Sequence, residues 1–569
     1  MKKKIKEKKP NFLNFEVGYT QKEWQSRTSI ALIYPNTYQV GMSNLGLHIL
    51  YREINRQDDF VCERVFFSAT EHPPTSIRSV ESNSLIQEFD IAAFCLSFEI
   101  DGFHMVEMLR RSQIPLWAEE RRDDDPLVII GGPCPTFNPE PWTPFVDAAV
   151  IGEGEEILVE IGKVWALSKG LPRVERITQL AEIEGLYIPS LYEPCQNEQG
   201  QYEGLIEYQS APSLPISKRV IQNMSVHSGH MEIISSETEF GHMFLVEVAR
   251  GCGRHCRFCM AGYAFRKPRV REVEEILKAI SIGKSMGATQ IGLVGAAVSD
   301  HPKIDELCRV IDEMDLNLSV ASLRADNVSL TLLKKLAKSG QRTVTFAPET
   351  GSERMRSVIN KGLDEADLLD ASEKAIKAGM KHIRLYAMLG LPTETDADIE
   401  ALIELAKKIR QVMKKNHHAG KVILSVNPFI PKPFTPFEKM PLFNIKEIEK
   451  KIRILQKELP LYEGYEIKAE SLRESWVQGI LARGDRSLAR AIADCSERGY
   501  RNFAQAFRRC GLSKEKYEYQ DLKEWKKLPW SHIDLGVKKE YFEEELKKAM
   551  EEDSTLPCFE GCRRCGVCE

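Results

Sequence analysis

Two stretches of the chain alternate short apolar runs with amphipathic helical periods, and each predicts a layered α/β unit. The first covers residues 28–165. It carries the apolar runs "SIALIYP", "IAAFCLSF", "PLVIIGG" and "DAAVIGEGEE", interleaved with the helix-like "LHILYREIN", "DGFHMVEMLRRS" and "ILVEIGKVWAL". Continuous apolar runs suit a parallel sheet covered on both faces, so a Rossmann-like or flavodoxin-like domain is expected. Ligands of such sheets sit beyond the carboxyl ends of the strands, where Gly131-Gly132 and Gly152-Glu153-Gly154 fall.

The second stretch, 239–435, holds six runs: "MFLVEVA", "QIGLVG", "LSVASL", "TVTFAP", "HIRLYAML" and "KVILSVNPF". Helical periods such as "REVEEILKAISIGKSMG" and "DIEALIELAKKIRQVMKK" separate them. Six β/α units predict a partial TIM-type barrel, (β/α)6, with its chemistry at the strand carboxyl ends. Around these two units lie a basic N-terminal tail (1–27), a connector with short strands (166–238), a helical charged region (436–550) and a cysteine-rich tail (551–569).

Composition narrows the class. A chain of 569 residues needs more than one core, and 43% apolar with 28% charged residues describes a soluble globular protein. No apolar run approaches the ~20 residues of a membrane span, and the lysines of "MKKKIKEKKP" have no apolar segment behind them, so neither a membrane nor a secretory signal is expected. A net charge of −5 gives no global attraction to nucleic acid. Fourteen cysteines without a secretion signal point to a reducing compartment, the cytoplasm, and to metal ligation rather than disulfides.

The stretch "ARGCGRHCRFCMAG" places Cys252, Cys256 and Cys259 immediately after the first barrel strand, in a C-x3-C-x2-C pattern. Three thiolates can hold a [4Fe–4S] cube and leave one iron open. Zinc with three cysteines and a water is the alternative; His255, adjacent to Cys256, is badly placed as a fourth ligand. Cys558, Cys562, Cys565 and Cys568 form C-x3-C-x2-C-x2-C, a metal site holding either an auxiliary iron–sulfur cluster or zinc.

Cys252, Cys256, Phe258 and Cys259 resemble the signature loop of radical S-adenosylmethionine (SAM) enzymes. The resemblance implies that the open iron binds SAM through its amine and carboxylate, and that reductive cleavage yields a 5′-deoxyadenosyl radical. "LVGAAVSDH" stands where the family often has a Gly-Gly-Glu-like turn; the acidic residue is absent, which leaves the backbone and Ser299. "FAPETGSERMRSVINKG" resembles the fourth-strand segment, which makes Glu349 and Lys361 the matching positions. Phe258, Ser299, Glu349 and Lys361 are therefore expected to line the SAM site, with helix capping as the structural alternative for Glu349. A reductant such as flavodoxin or ferredoxin is implied.

"VIIGGPCPTFNPEPWTPFVDAAVIGEGEE" is similar to the cobalamin-binding-type domain that precedes the barrel in one large radical SAM class. Its best-known members carry Asp-x-His-x-x-Gly; here the corresponding residues are Asn36-Thr37-Tyr38-Gln39-Val40-Gly41. Cobalamin, if bound, is expected at Asn36, Tyr38, Gly41, Ser97, Gly131 and Gly132, without a histidine on cobalt. A domain that has lost cobalamin is the alternative. With "LARGDRSLARAI" and the cysteine tail, nearly the whole chain resembles a functionally uncharacterised bacterial branch. The expected activity is cobalamin-dependent methyl transfer or rearrangement on an unknown substrate, RNA or ribosome-associated among the options. Methylthiotransferase-like sulfur insertion and a non-catalytic cluster carrier are the alternatives. For Cys62 and Cys95 a core role is expected, while Cys134 sits in a ligand-type loop.

Overall fold

The structure, a computed structural model, describes residues 11–68, 77–198, 201–518, 522 and 525–568. Five parallel strands build the N-terminal sheet: β1 (Thr28–Tyr34), β2 (Phe60–Phe66), β3 (Ile91–Cys95), β4 (Leu127–Gly131) and β5 (Ala148–Val150). Their spatial order is β2-β1-β3-β4-β5, and β6 (Leu186–Tyr187) adds an antiparallel edge. The runs of buried Ile, Leu, Val and Ala in β1, β3 and β4 meet helices on both faces, as their lack of polar alternation requires.

Strand β2, "FVCERVF", has no counterpart among the apolar runs because a buried charge interrupts it. Arg64 donates to Glu81 at 2.6 Å and to both carboxylate oxygens of Glu16 at 2.7 and 2.8 Å. Glu16 comes from the N-terminus. Residues Phe12–Phe15 form a short 3-10 turn, and Glu16–Val17 pairs antiparallel with Ile234–Ser235. Residues 11–17 are thus a folded strap rather than a tail; the lysine-rich residues 1–10 lie outside the described residues.

The barrel runs β7 (Met243–Glu247), β8 (Gln290–Val294), β9 (Asn317–Ser319), β10 (Thr343–Glu349), β11 (His382–Leu389) and β12 (Val422–Pro428), all parallel to their neighbours. A parallel bridge between Leu323 and Phe346 joins the first three strands to the rest. A seventh strand, β13 (Tyr465–Ala469), extends the six expected. Ile383, Leu385, Ala387 and Leu389 of β11 are buried against the helices, and alternation turns Arg384, Tyr386 and Met388 to the inside of the barrel. Among the described residues no helix is long and apolar enough to cross a membrane.

The connector is ordered. It contains the helix Arg173–Leu180, the edge strand β6 and a hairpin of Tyr192–Gln196 with Tyr202–Glu207. The C-terminal helices Leu472–Arg483 and Ala489–Arg498 return to the N-terminal domain, where Asn138 donates to the carbonyls of Ala482 and Gly484 and Arg110 to that of Ala493. Glu99, just past β3, accepts from Lys432, just past β12, and from Gln478 at 3.0 Å. The carboxyl ends of the two sheets therefore face each other.

Candidate active site

Glu247 at the end of β7 is gripped by Arg250 and Arg271 at 2.9 to 3.2 Å, and Ala249–Arg250 pairs with Arg269–Val270. These contacts fix the base of the cysteine loop. Gly251 then turns with φ +82°, and a Cβ there would lie 2.0 Å from the Phe265 carbonyl, so only glycine fits before Cys252. The loop closes through Cys259 N–H on the Cys256 carbonyl and Gly262 N–H on the Cys259 carbonyl, both at 3.1 Å.

All three thiols are free, and among the described residues no three His, Cys, Asp or Glu side chains stand in a ready-made metal geometry. Their chemistry nonetheless suits a metal. Burial, and then the neighbouring Cys256 thiol, pushes Cys259 up to about 11, and burial raises Cys252 as well. Ionising such a group of thiols is costly until a cation shares the charge.

The expected SAM residues gather around this loop. Lys361 Nζ donates to Glu349 at 2.9 Å and lies 5.7 Å from the centre of the Phe258 ring. Burial opposes the Lys361 charge, but Glu349 and the Cys256 thiol outweigh it and hold its pKa above the ordinary lysine value. Glu349 sits at φ +66°, a left-handed conformation that a glutamate adopts at a cost of order 1–3 kcal/mol. It does not cap the following helix; Ser352 does, by accepting from Met355 N–H. Ser299 is buried with its hydroxyl unpartnered, in a loop tied to the cysteine loop by Arg254, which pairs with Asp300 at 3.1 Å.

Arg324 had no signal beyond its place after a barrel strand. It pairs with Asp326 at 3.0 Å and donates to the Lys361 carbonyl at 3.1 Å. Two cations, one carboxylate and an orphaned hydroxyl beside three thiols match the carboxylate and ammonium of an amino acid, the group SAM presents.

These features suit a radical SAM site, and sequence comparison shows the family: residues 246–406 match the radical SAM superfamily, and residues 46–189 match the N-terminal region of radical SAM proteins. The chain belongs to the radical SAM superfamily. It is an enzyme whose cofactors include a [4Fe–4S] cluster and SAM. It is 30% identical over 467 residues to the uncharacterized protein MJ0966 of Methanocaldococcus jannaschii, which covers 82% of this chain and 90% of that one. It is 29% identical to an uncharacterized methyltransferase, PH0819, of Pyrococcus horikoshii, over 50% of this chain and 59% of the relative. Among solved structures, the radical SAM methyltransferase TsrM from Kitasatospora setae with cobalamin and a [4Fe–4S] cluster bound aligns at TM-score 0.47 and 14% identity, covering 70% of this chain and 72% of that one.

The residues expected at cobalamin separate into two groups. Tyr38 is a correction: it is buried, its ring stacked on Phe12 at 3.7 Å, its hydroxyl donating to Glu16 at 2.5 Å and 2.8 Å from the Ser235 hydroxyl. The strap fills the space over it, so Tyr38 does not face a ligand. Gly41 packs under Phe66, where a Cβ would lie 2.4 Å from the ring. Asn36, Ser97, Gly131 and Gly132 do lie at the strand ends: Asn36 donates to Asp101 at 2.9 Å, and Ser97 meets Asn44 at 3.4 Å. Cys62 and Cys134 are buried in the core and Cys95 packs against it.

Asp101 supplies a pH signature. Burial, with the Glu99 charge adding to it, raises its pKa to about 7. A raised carboxyl binds its proton in the folded state when the unfolded chain has lost it, so this residue's contribution to stability declines as pH rises from about 4 to 7 and then levels off. Asp101→Asn should remove that slope and stabilise the protein at pH 8 by at most about 4 kcal/mol, at ~1.4 kcal/mol per pH unit. Urea unfolding at pH 5 and pH 8 checks this; an equal effect at both would refute it.

Proposed function

We propose that the enzyme cleaves SAM at a [4Fe–4S] cluster on Cys252, Cys256 and Cys259, and methylates a substrate held inside the barrel with cobalamin as methyl carrier. Cobalamin, when bound, supplies a cobalt centre that carries the methyl group. The observation that carries this reading is the Glu99–Lys432 contact, which sets the ligand-binding ends of the N-terminal sheet against the barrel mouth. Ser97, Gly131 and Gly132, beside the exposed ring of Phe98, would hold the cofactor there. Phe258, Ser299, Glu349 and Lys361 hold SAM: Lys361 and Arg324 attract its carboxylate, and Glu349 its ammonium. Arg384, Tyr386 and Met388 face the substrate. A one-electron reductant of flavodoxin or ferredoxin type feeds the reaction.

Sulfur insertion finds no support in the N-terminal domain, where Cys62, Cys95 and Cys134 are core residues rather than a ligand set. The test is anaerobic purification with cobalamin supplied, followed by turnover with methyl-deuterated SAM. Co-purifying cobalamin and S-adenosylhomocysteine beside 5′-deoxyadenosine are expected. Deoxyadenosine alone, from protein without affinity for cobalamin, would end the methyl-transfer reading.

A second expectation separates SAM binding from cluster assembly. Glu349→Gln should weaken SAM binding by about tenfold, the loss of one charge-assisted contact. Iron content should stay unchanged. Isothermal titration on reconstituted protein gives the affinity; an unchanged Kd would remove Glu349 from the site.

A further inference from the structure

The cysteine tail does not hang free: it docks on the cysteine loop of the barrel. Asn360 donates to the carbonyls of His255 and Thr555, both at 3.0 Å, and accepts from Thr555 N–H at 2.8 Å. Cys558 N–H donates to the Gly253 carbonyl at 2.9 Å, within the loop between Cys252 and Cys256. The Cys558 sulfur lies 3.3 Å from His255 Nε2, and His255 precedes Cys256 directly. Cys565 packs with Tyr263 and Tyr541, and its carbonyl accepts from Lys538 N–H. Cys562 and Cys565 are buried. Cations stand around the group: Arg564 reaches the Cys562 sulfur at 3.2 Å, and Arg266 reaches His255 Nδ1 at 3.1 Å.

From this arrangement we propose that Cys558, Cys562, Cys565 and Cys568 bind a second [4Fe–4S] cluster, through which electrons reach the first. Four thiols within eleven residues, joined by little regular structure, are a poor apolar core and a complete ligand set for one cube. Structural zinc more often draws on two pairs set apart in the fold. The position favours a redox centre too, since a single residue, His255, stands between Cys558 and Cys256. One electron leaves a flavodoxin- or ferredoxin-type donor and takes the tail cluster from 2+ to 1+. The same electron then moves to the cluster on Cys252, Cys256 and Cys259, returning the tail cluster to 2+. The relay rests on the site reading above; the tail cluster itself does not.

Three proteins distinguish the two. Reconstituted wild type should carry about eight irons, and both the Cys252→Ala/Cys256→Ala/Cys259→Ala and the Cys562→Ser/Cys565→Ser variants about four, one cube each. The first variant should keep a reducible cluster whose electron paramagnetic resonance ignores SAM; the second should keep one that SAM perturbs. Reduced wild type should show spectra broadened by coupling between the two centres. Flavodoxin-driven reduction of the SAM-responsive cluster should slow at least tenfold in the second variant. Four irons and one zinc in wild type would overturn the tail cluster, with or without folding of the variants. Eight irons with uncoupled spectra, or an unchanged rate of reduction, would overturn the relay. If only the first variant kept all its irons, the barrel-loop assignment would fail and the tail cluster would stand.

Discussion

Replacing Cys252, Cys256 and Cys259 together with alanine is expected to abolish SAM cleavage and to remove about four irons per chain. The effect is total because the groups that remain do not rebuild the site: His255 is engaged by Tyr541 and Arg266, and the Cys558 thiol beside it belongs to the tail set. Lys361, Arg324 and Arg254 are cations, Glu349 is engaged by Lys361, and the Ser299 hydroxyl is a far weaker ligand for iron. The loop backbone should survive, since it is held by Arg257 N–H on the Ile359 carbonyl and by the Gly262 and Cys259 turn bonds rather than by the sulfurs. Circular dichroism should therefore be unchanged while iron and deoxyadenosine are lost. Deoxyadenosine formed under dithionite by the triple variant would remove these residues from the reaction.

What was legible in the sequence was what neighbouring residues encode together. Six barrel strands announced themselves as apolar runs, and the cysteine loop as three thiols within eight residues. Glu349 and Lys361, twelve residues apart across the short helix Glu353–Val358, were picked out by the family resemblance of the segment that carries both. Features that depend on distant partners were not. Strand β2 places Arg64 in the core, where its stability comes from Glu16, 48 residues earlier, and Glu81, 17 residues later. Lone charges in a strand look like surface until those partners are known. Strand β13 alternates Glu466 and Lys468 at the edge of the sheet, so its short pattern merged with the charged helices around it. Tyr38 shares the spacing of a cofactor ligand, yet its fate is decided by Phe12 and Glu16 of the N-terminal strap.

The same distance problem hides the strongest tie between tail and barrel, and with it the second large expected effect. Arg257, between Cys256 and Phe258, donates to Glu545 at 3.0 Å; both side chains are fully buried. Glu545 belongs to the helix Lys539–Met550, and its other oxygen accepts from Thr555 at 2.6 Å, so one carboxylate joins the cysteine loop to the tail. Removing one partner of a buried pair leaves an uncompensated charge. Glu545→Ala should thus destabilise the protein by about 3–5 kcal/mol. Arg257 would keep its bonds to the Ser357 and Val358 carbonyls, which cannot neutralise it. Replacing both residues with methionine should restore most of that loss, because no charge then stays buried. Urea unfolding of the single and double variants measures the difference, and limited proteolysis shows whether residues 555–568 detach in Glu545→Ala. If the single variant is as stable as wild type, the pair does not hold the tail in place. If the double variant is no better than the single, packing around Glu545 rather than its charge makes the tie.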